Sequence, residues 1–364
     1  MADTADRAAD ARWMHAALSL AARGLGRVAP NPAVGCILVK NGTVVGRGWT
    51  QPGGRPHAET EALRRAGQAA SGATAYVTLE PCSHFGKTGP CAVALIDAGI
   101  VRVVVATVDP DPRVSGRGLT MLREAGIEVV EDVLRDEARA LNKGFFLTKT
   151  DQRPFVSLKL ATSLDGRIAT ATGQSKWITG PEARQDAQMI RASHDAILVG
   201  IGTVLADNPA LTRRLPGIQE QPIRIVLDSR GRLPPDAVFC NGGQDSLQIV
   251  APDCTTPPPS GVDRLTIARD ADGFLSIPLI LERLADQGIT RLMVEGGGTV
   301  ATHFLKSDLV DRIYWYRAGL AIGGDGVAGL SGPGWSNLGD APRFRFVSGR
   351  IVGPDRLDVL ERTP

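Results

Sequence analysis

Cysteine is scarce in this chain of 364 residues: there are five, an odd number, which does not suit a disulfide framework. Cys36, Cys240 and Cys254 are expected to be plain reduced thiols in a reducing compartment. Aromatic residues make up only 5% of the sequence and the formal net charge is +2. That leaves no basic stripe interleaved with aromatics of the kind that grips nucleic acid, and no electrostatic attraction to an acidic membrane. No apolar run is long enough to span a bilayer. The acidic start Met1-Ala2-Asp3-Thr4-Ala5-Asp6 lacks the positive segment and apolar run of a secretory signal. The expectation is a cytoplasmic protein with neither nucleic acid nor membrane as partner. A hydrophobic content of 43% and a charged content of 22% are ordinary for globular protein, and the length suggests two domains, each with its own core.

Against this plain background one constellation stands out. His57-Ala58-Glu59 is followed by Pro81-Cys82 and then Cys91. An imidazole and two thiolates leave one position of a tetrahedral zinc open, as catalytic sites do and closed structural sites do not. Glu59, beside the ligand and not needed as one, suits the proton carrier of a hydrolytic deamination. Singly, His57 reads as an ordinary histidine and the cysteines as buried thiols. It is their order, with Glu59 and the proline before Cys82, that points to a metal site. His84 could compete as a ligand, but it lies in the long loop between the cysteines and is expected to face substrate or solvent.

Local patterns place these residues. Trp13 to Arg23 has helical periodicity after Asp10, a plausible cap. Val34 to Val39 and Val44 to Trp49 flank Asn41-Gly42, a strong hairpin turn. A helix is predicted from His57 to Gly67, a strand from Ala75 to Leu79, a helix from Cys91 to Gly99 and a strand from Val101 to Val108. A helix from Leu119 to Ala125 and a strand from Ile127 to Val130 complete an α/β layer arrangement. The polar stretch Leu147 to Pro154 reads as a linker. Beyond it, strands are predicted at Phe155 to Ala161, Ala196 to Val199, Ile223 to Leu227, Leu247 to Val250 and Arg291 to Val294. A helix is predicted from Glu182 to Ala192, and a closing hairpin at Phe344 to Val347 and Leu357 to Leu360. After Arg291 to Val294 comes Glu295-Gly296-Gly297-Gly298-Thr299 and a helix to Lys306. Such a turn can aim backbone N–H groups at a phosphate, or can be glycine-rich only because it is tight.

The stretches His57-Ala58-Glu59, Thr78-Leu79-Glu80-Pro81-Cys82-Ser83-His84-Phe85-Gly86-Lys87-Thr88 and Pro90-Cys91 resemble the bifunctional riboflavin-biosynthesis deaminase/reductase family, as do Asn31-Pro32 and Val34-Gly35. The spacing of eight residues between Cys82 and Cys91 sets the chain apart from a plain cytidine deaminase. Gly89 departs from the family, which usually has a second proline there. Leu158 to Ile168, Ser175 to Thr179 and Gly202 to Thr212 resemble the reductase half of the same enzymes.

The resemblance implies a cytidine-deaminase-like three-layer domain over 1–148 and a dihydrofolate-reductase-like domain over 149–364. It implies one zinc per chain on His57, Cys82 and Cys91, with Glu59 catalytic and Asn31 on the substrate side. For the second half it implies NADPH held by Ala161, Trp177, Thr203, Asp207, Ser229, Gly297, Gly298 and Thr299. The substrate would meet Ser175, Arg191, Leu211, Arg214 and Glu295. The substrate implied is a small phosphorylated pyrimidine, first deaminated and then reduced at its ribosyl chain. Arg191 and Arg214 suit its phosphate, since guanidinium groups offer fixed charge and bidentate donors. Lys159 and Asp207 are candidates for polarising or protonating the opened sugar. A homo-oligomer is expected. Two alternatives are a nucleic-acid base deaminase with a C-terminal binding domain, which the charge and aromatic content disfavour, and a one-activity enzyme whose C-terminal half is a structural or assembly domain, which NADPH binding would exclude.

Overall fold

The computed structural model describes residues 2–84, 89–111, 115–241 and 245–363. Phe85, Gly86, Lys87 and Thr88 of the inter-cysteine loop lie outside the described residues. Two compact units, Met1–Gln152 and Arg153–Pro364, divide the chain. The first runs α1 (Ala2–Ala21), β1 (Gly35–Lys40), β2 (Thr43–Trp49), α2 (Ala58–Ala66), β3 (Thr74–Val77) and α3 (Cys91–Asp97). Then come β4 (Arg102–Val105), α4 (Arg117–Glu124), β5 (Glu128–Val130), α5 (Arg135–Leu141) and α6 (Lys143–Thr150). Its sheet has the order β2-β1-β3-β4-β5, antiparallel around β1 and parallel from β3 to β5.

Alternation along β1 makes this unit three layers deep. Cys36 and Leu38 pack with Ala58 and Ala62 of α2, Leu95 of α3 and Leu119 of α4. Ile37 and Val39 pack on the other face with Met14 and Ala17 of α1 and Ala138 of α5. The hairpin is as predicted, with Asn41 and Gly42 both at positive φ, 50° and 74°, as a type I′ turn requires.

One local expectation fails and another holds only in part. Asp10 is no cap: it sits within α1, buried, and accepts hydrogen bonds from Tyr76 Oη and from Arg102, tying the helix to β3 and β4. The expected linker, Leu147 to Pro154, contains the division between the two units at Gln152 and Arg153, but it is helical as far as Thr150. Its polar residues are the outer side of a helix whose Phe145 and Phe146 are buried.

The second unit opens with β6 (Phe155–Thr162), β7 (Arg167–Ala169), α7 (Pro181–Ala192), β8 (Ala196–Gly200), α8 (Ile201–Asp207), β9 (Ile223–Leu227) and β10 (Ser246–Val250). It continues with β11 (Asp263–Thr266), α9 (Ile277–Asp286), β12 (Arg291–Val294), α10 (Gly298–Lys306), β13 (Arg312–Arg317), β14 (Val327–Ala328), β15 (Phe344–Val352) and β16 (Asp355–Arg362). Nine strands form one sheet in the order β11-β10-β9-β8-β12-β6-β13-β16-β15. It is parallel as far as β13 and antiparallel thereafter. Leu198, Leu292 and Leu158 pack against α9 and α10 on one face, and Ile197 and Val199 pack against α8 on the other.

No strand is expected at β13, Arg-Ile-Tyr-Trp-Tyr-Arg, whose charged ends and hydroxyls are unusual in a buried strand. In the fold its polar groups are satisfied: Tyr316 Oη donates to Asp186 at 2.6 Å and Arg312 is paired with Glu361. That is the condition for burying them. The parallel arrangement brings the carboxyl ends of β6, β8, β9 and β12 to one edge of the sheet, where ligands bind in open α/β sheets.

Candidate active sites

In the first unit the site forms where α2 and α3 begin. His57 is the residue just before α2, in extended conformation, and Cys91 is the first residue of α3. Gly48 of β2 lets α2 come close, since a Cβ there would lie 2.2 Å from the Ala58 carbonyl oxygen. His57 Nδ1 lies 3.7 Å from Cys82 Sγ and 3.4 Å from Cys91 Sγ, and the three donor atoms are all within 4.8 Å of one another. Such separations match the edges of a tetrahedron with metal bonds of about 2.0–2.3 Å, so the residues fit zinc. His84 is exposed and stands outside this cluster.

The electrostatics agree with a thiolate pocket. A hydrogen bond from the Cys91 thiol, helped by the Cys91 backbone N–H and by His57, pulls Cys82 down to about 4 against its burial. The same pairing pushes Cys91 up. A divalent cation is what allows both sulfurs to ionise together. Glu59 is 3% exposed. Burial, and after it the charge on Cys82, raises its carboxyl to about 7, a range in which a carboxyl can take and return a proton near neutral pH.

One buried acid escaped the sequence reading. Glu80, two residues before Cys82, accepts backbone N–H groups of Asp109, Gly116 and Gly118 at 3.3, 2.9 and 2.9 Å. It thereby caps α4, the helix packed on Pro81, where a Cβ on Gly118 would lie 2.0 Å from the proline carbonyl oxygen. The available signal was a carboxylate at the end of a buried strand, which must find donors. Asn31, the expected substrate-side residue, donates from Nδ2 to the Gly54 carbonyl at 2.9 Å.

In the second unit the parallel sheet sets Ala161 near the end of β6, Thr203 just after β8, Ser229 just after β9 and Gly297 just after β12. Thr203 Oγ1 accepts the Gly297 N–H at 3.1 Å. Ser175 Oγ donates to Asp207 at 3.4 Å, and Lys176 Nζ lies 3.6 Å from the same carboxylate. Trp177 is 67% exposed, with the Arg184 guanidinium 4.2 Å from its ring centre, so it is not a core aromatic.

The glycine turn divides its roles. Gly296, Gly297 and Gly298 all lie outside the left-handed region, so backbone freedom is not their purpose. A Cβ on Gly296 would meet the Val199–Gly200 backbone, and one on Gly298 would lie 2.6 Å from the Ala328 carbonyl oxygen and 2.3 Å from Ser331 Oγ. A Cβ on Gly297 would meet only Thr203 Oγ1, at 3.5 Å. Thr299 follows in the first turn of α10.

On the expected substrate side, Arg191 and Glu295 form a bidentate pair at 2.9 and 3.0 Å, and Arg191 Nη1 also donates to the Thr212 carbonyl at 2.6 Å. Burial works against the Glu295 carboxylate, but Arg191, Lys159 and Arg214 together hold its pKa below the usual range. Burial lowers that of Lys159. Leu211 is buried, at positive φ. Arg214 is exposed, its N–H on Gln188 Oε1 at 3.1 Å. Three cations around one carboxylate leave a positive excess suited to a phosphate.

Comparisons with known proteins cover both units. Residues 7–107 match the cytidine and deoxycytidylate deaminase zinc-binding region, and residues 154–357 match the RibD C-terminal domain. The riboflavin biosynthesis protein RibD of Escherichia coli K12 is 44% identical over 367 residues, covering 95% of this chain and 97% of its own. A solved structure of Acinetobacter baumannii RibD superposes with a TM-score of 0.88 at 39% identity, covering 98% of this chain and 100% of that one. A Thermotoga maritima structure superposes with a TM-score of 0.89 at 37% identity and the same coverage. It is described as a diaminohydroxyphosphoribosylaminopyrimidine deaminase/5-amino-6-(5-phosphoribosylamino)uracil reductase. With relatives matched along nearly its whole length and a family model over each half, this chain belongs to the RibD family of riboflavin biosynthesis proteins.

Proposed function

We propose that the chain carries out two consecutive steps on one phosphorylated pyrimidine. The first unit hydrolyses the 2-amino group of 2,5-diamino-6-ribosylamino-pyrimidinone 5'-phosphate, and the second reduces the ribosyl chain of the aminouracil product to ribityl with NADPH. The observation that carries this is the approach of His57, Cys82 and Cys91 to within 4.8 Å of one another, with Glu59 buried beside them, in a chain that resembles RibD from end to end.

His57, Cys82 and Cys91 would hold zinc, which when bound acts as a Lewis acid and makes a water acidic enough to attack near neutral pH. Glu59 takes the proton that the attacking water gives up and returns it to the departing amine. Its raised pKa suits both halves of that task. Asn31 lines the substrate side.

In the second unit Thr203, Asp207, Ser229, Trp177 and Ala161 surround the nucleotide, with Gly297, Gly298 and Thr299 at its diphosphate. NADPH, when bound, supplies the hydride. Arg214 holds the substrate phosphate, while Ser175, Leu211, Arg191 and Glu295 shape the pocket around the sugar. Lys159, whose burial lowers its pKa and so makes its ammonium a readier acid, stands beside Glu295 to pass a proton to the sugar oxygen. Asp207, occupied by Ser175 and Lys176, is the less suited donor.

We also propose a cytoplasmic location, which five unbridged thiols support, and a homo-oligomer. For the latter, β15 stands at the edge of the nine-stranded sheet with Phe346 and Ile351 exposed, a surface that isolated proteins normally cover. No helix among the described residues is long and apolar enough to cross a membrane.

The test is one assay on the purified full chain. Given the diaminopyrimidinone phosphate, it should release ammonia and then oxidise NADPH, mole for mole. Ammonia release with no NADPH oxidation would remove the second activity from the proposal.

A further inference from the structure

The segment from Asn31 to Gly35, which leads into β1, has its backbone held largely by side chains from distant parts of the first unit. Thr50 Oγ1 accepts the Val34 N–H at 3.0 Å and donates to the Pro32 carbonyl at 3.1 Å. Thr78 Oγ1 accepts the Gly35 N–H at 3.0 Å. Asn142, at the junction of α5 and α6, takes both polar groups of a single residue. Its Oδ1 accepts the Ala33 N–H and its Nδ2 donates to the Ala33 carbonyl, each at 2.9 Å.

Both residues are buried, Asn142 at 3% and Ala33 at 2% exposure. The backbone of Asn142 is itself fixed, its N–H on the Ala138 carbonyl and its C=O receiving the Phe146 N–H. The amide therefore acts as a one-residue pairing strand anchored between two helices. Two positions before Ala33, Asn31 reaches Gly54, in the segment that runs directly into the metal ligand His57.

We infer that Asn142 is a positioning residue for the deaminase step: by pinning Ala33 it sets the place of the Asn31-Pro32 loop against the segment before His57. The inference rests on the assignment of Asn31 to the substrate side. Ala33 is followed by the β1 strand and preceded by Pro32, which has no N–H to give. Without Asn142, both polar groups of Ala33 lose their partners in a dry place, and the loop would move to recover them from water.

The test uses the full chain, with zinc content and both activities measured. Asn142→Ala should keep its zinc and its NADPH-dependent reduction of the deaminated substrate. Its KM for the diaminopyrimidinone phosphate should rise about tenfold, the equivalent of roughly one lost contact, while kcat stays within about threefold. A KM equal to that of the unaltered protein, or an equal fall of kcat and zinc content, overturns the inference.

Asn31→Ala in parallel separates the two layers. If it leaves KM unchanged while Asn142→Ala raises it, the loop is positioned as stated and the assignment of Asn31 is what fails. Should Asn142→Ala not fold, Asn142→Asp decides between the outcomes. Its carboxylate faces the Ala33 carbonyl at pH 8, but the protonated acid has the donor and acceptor of the amide. The KM of that variant relative to the unaltered protein should fall as pH is lowered toward 5. A ratio that does not change with pH refutes the pairing.

Discussion

Arg191 and Glu295, 104 positions apart in the sequence, face each other as guanidinium and carboxylate at 2.9 and 3.0 Å, with side chains only 11% and 10% exposed. Their first partners are therefore each other. Of the two arginines singled out for a phosphate, only Arg214 is presented outward.

From this follows a contrast between two substitutions. Arg191→Met takes the hydrogen-bonded partner from a buried carboxylate, a loss that costs up to about 3–5 kcal/mol, and should lower the melting temperature as well as reduction. Arg214→Ala removes a charge-assisted contact of about 1.5–3 kcal/mol and should raise the reductase KM with melting and NADPH affinity preserved. Equal melting temperatures for the two variants would contradict the buried pair.

Cys82→Ser should lose zinc and deamination together and still reduce the deaminated substrate with NADPH. The measurement is metal analysis beside the two assays. One zinc per chain remaining in that variant would remove Cys82 from the ligands.

Glu59→Gln should keep its zinc, because it alters the proton carrier and no ligand. Deamination should fall by about 10²–10⁴, the usual contribution of a positioned acid/base. Turnover within a few fold of the unaltered enzyme would refute the shuttle.

The glycine turn offers a sharper test once its space is known. Gly297→Val meets only Thr203 Oγ1, at ordinary contact distance, and should weaken NADPH binding, read by fluorescence titration, with the melting temperature little changed. Gly298→Val must push against Ala328 and Ser331 and should lower stability too. If Gly297→Val binds NADPH normally, the diphosphate lies elsewhere.

Acid should loosen the first unit through Asp10. Burial raises its pKa, but the hydrogen bonds from Arg102 and Tyr76 prevail and hold it below the ordinary 3.8. A carboxyl lowered in the folded state stabilises fully above its unfolded pKa, and that contribution disappears as pH falls through the folded value. Asp10→Asn should therefore melt earlier than the unaltered protein at pH 6, by the equivalent of about 1–3 kcal/mol for a half-buried pair. The difference should begin to narrow near the unfolded carboxylate value and go on closing as pH falls through the lower folded one. A gap that does not narrow at all between pH 6 and pH 3 would mean that packing, and not charge, is what Asp10 supplies.

Much of this was legible before the fold was known, because it is local. Helical periodicity and turn chemistry place α2 after His57 and the hairpin at Asn41-Gly42. The identities of His57, Glu59, Cys82 and Cys91 state the chemistry of the first site through the donors they carry. What the residues alone left undecided is contact across distance. The meeting of the two sulfurs with Nδ1, the pairing of Arg191 with Glu295 and the grip of Asn142 on Ala33 each depend on sheet register and on which helix face is buried, and those are settled by the packing of all elements at once. The same holds for Gly297 and Gly298, neighbours of one residue type, one with only Thr203 Oγ1 near it and the other pressed against Ala328 and Ser331. A glycine in sequence declares only that a side chain is missing; the surrounding fold decides what that missing side chain makes room for.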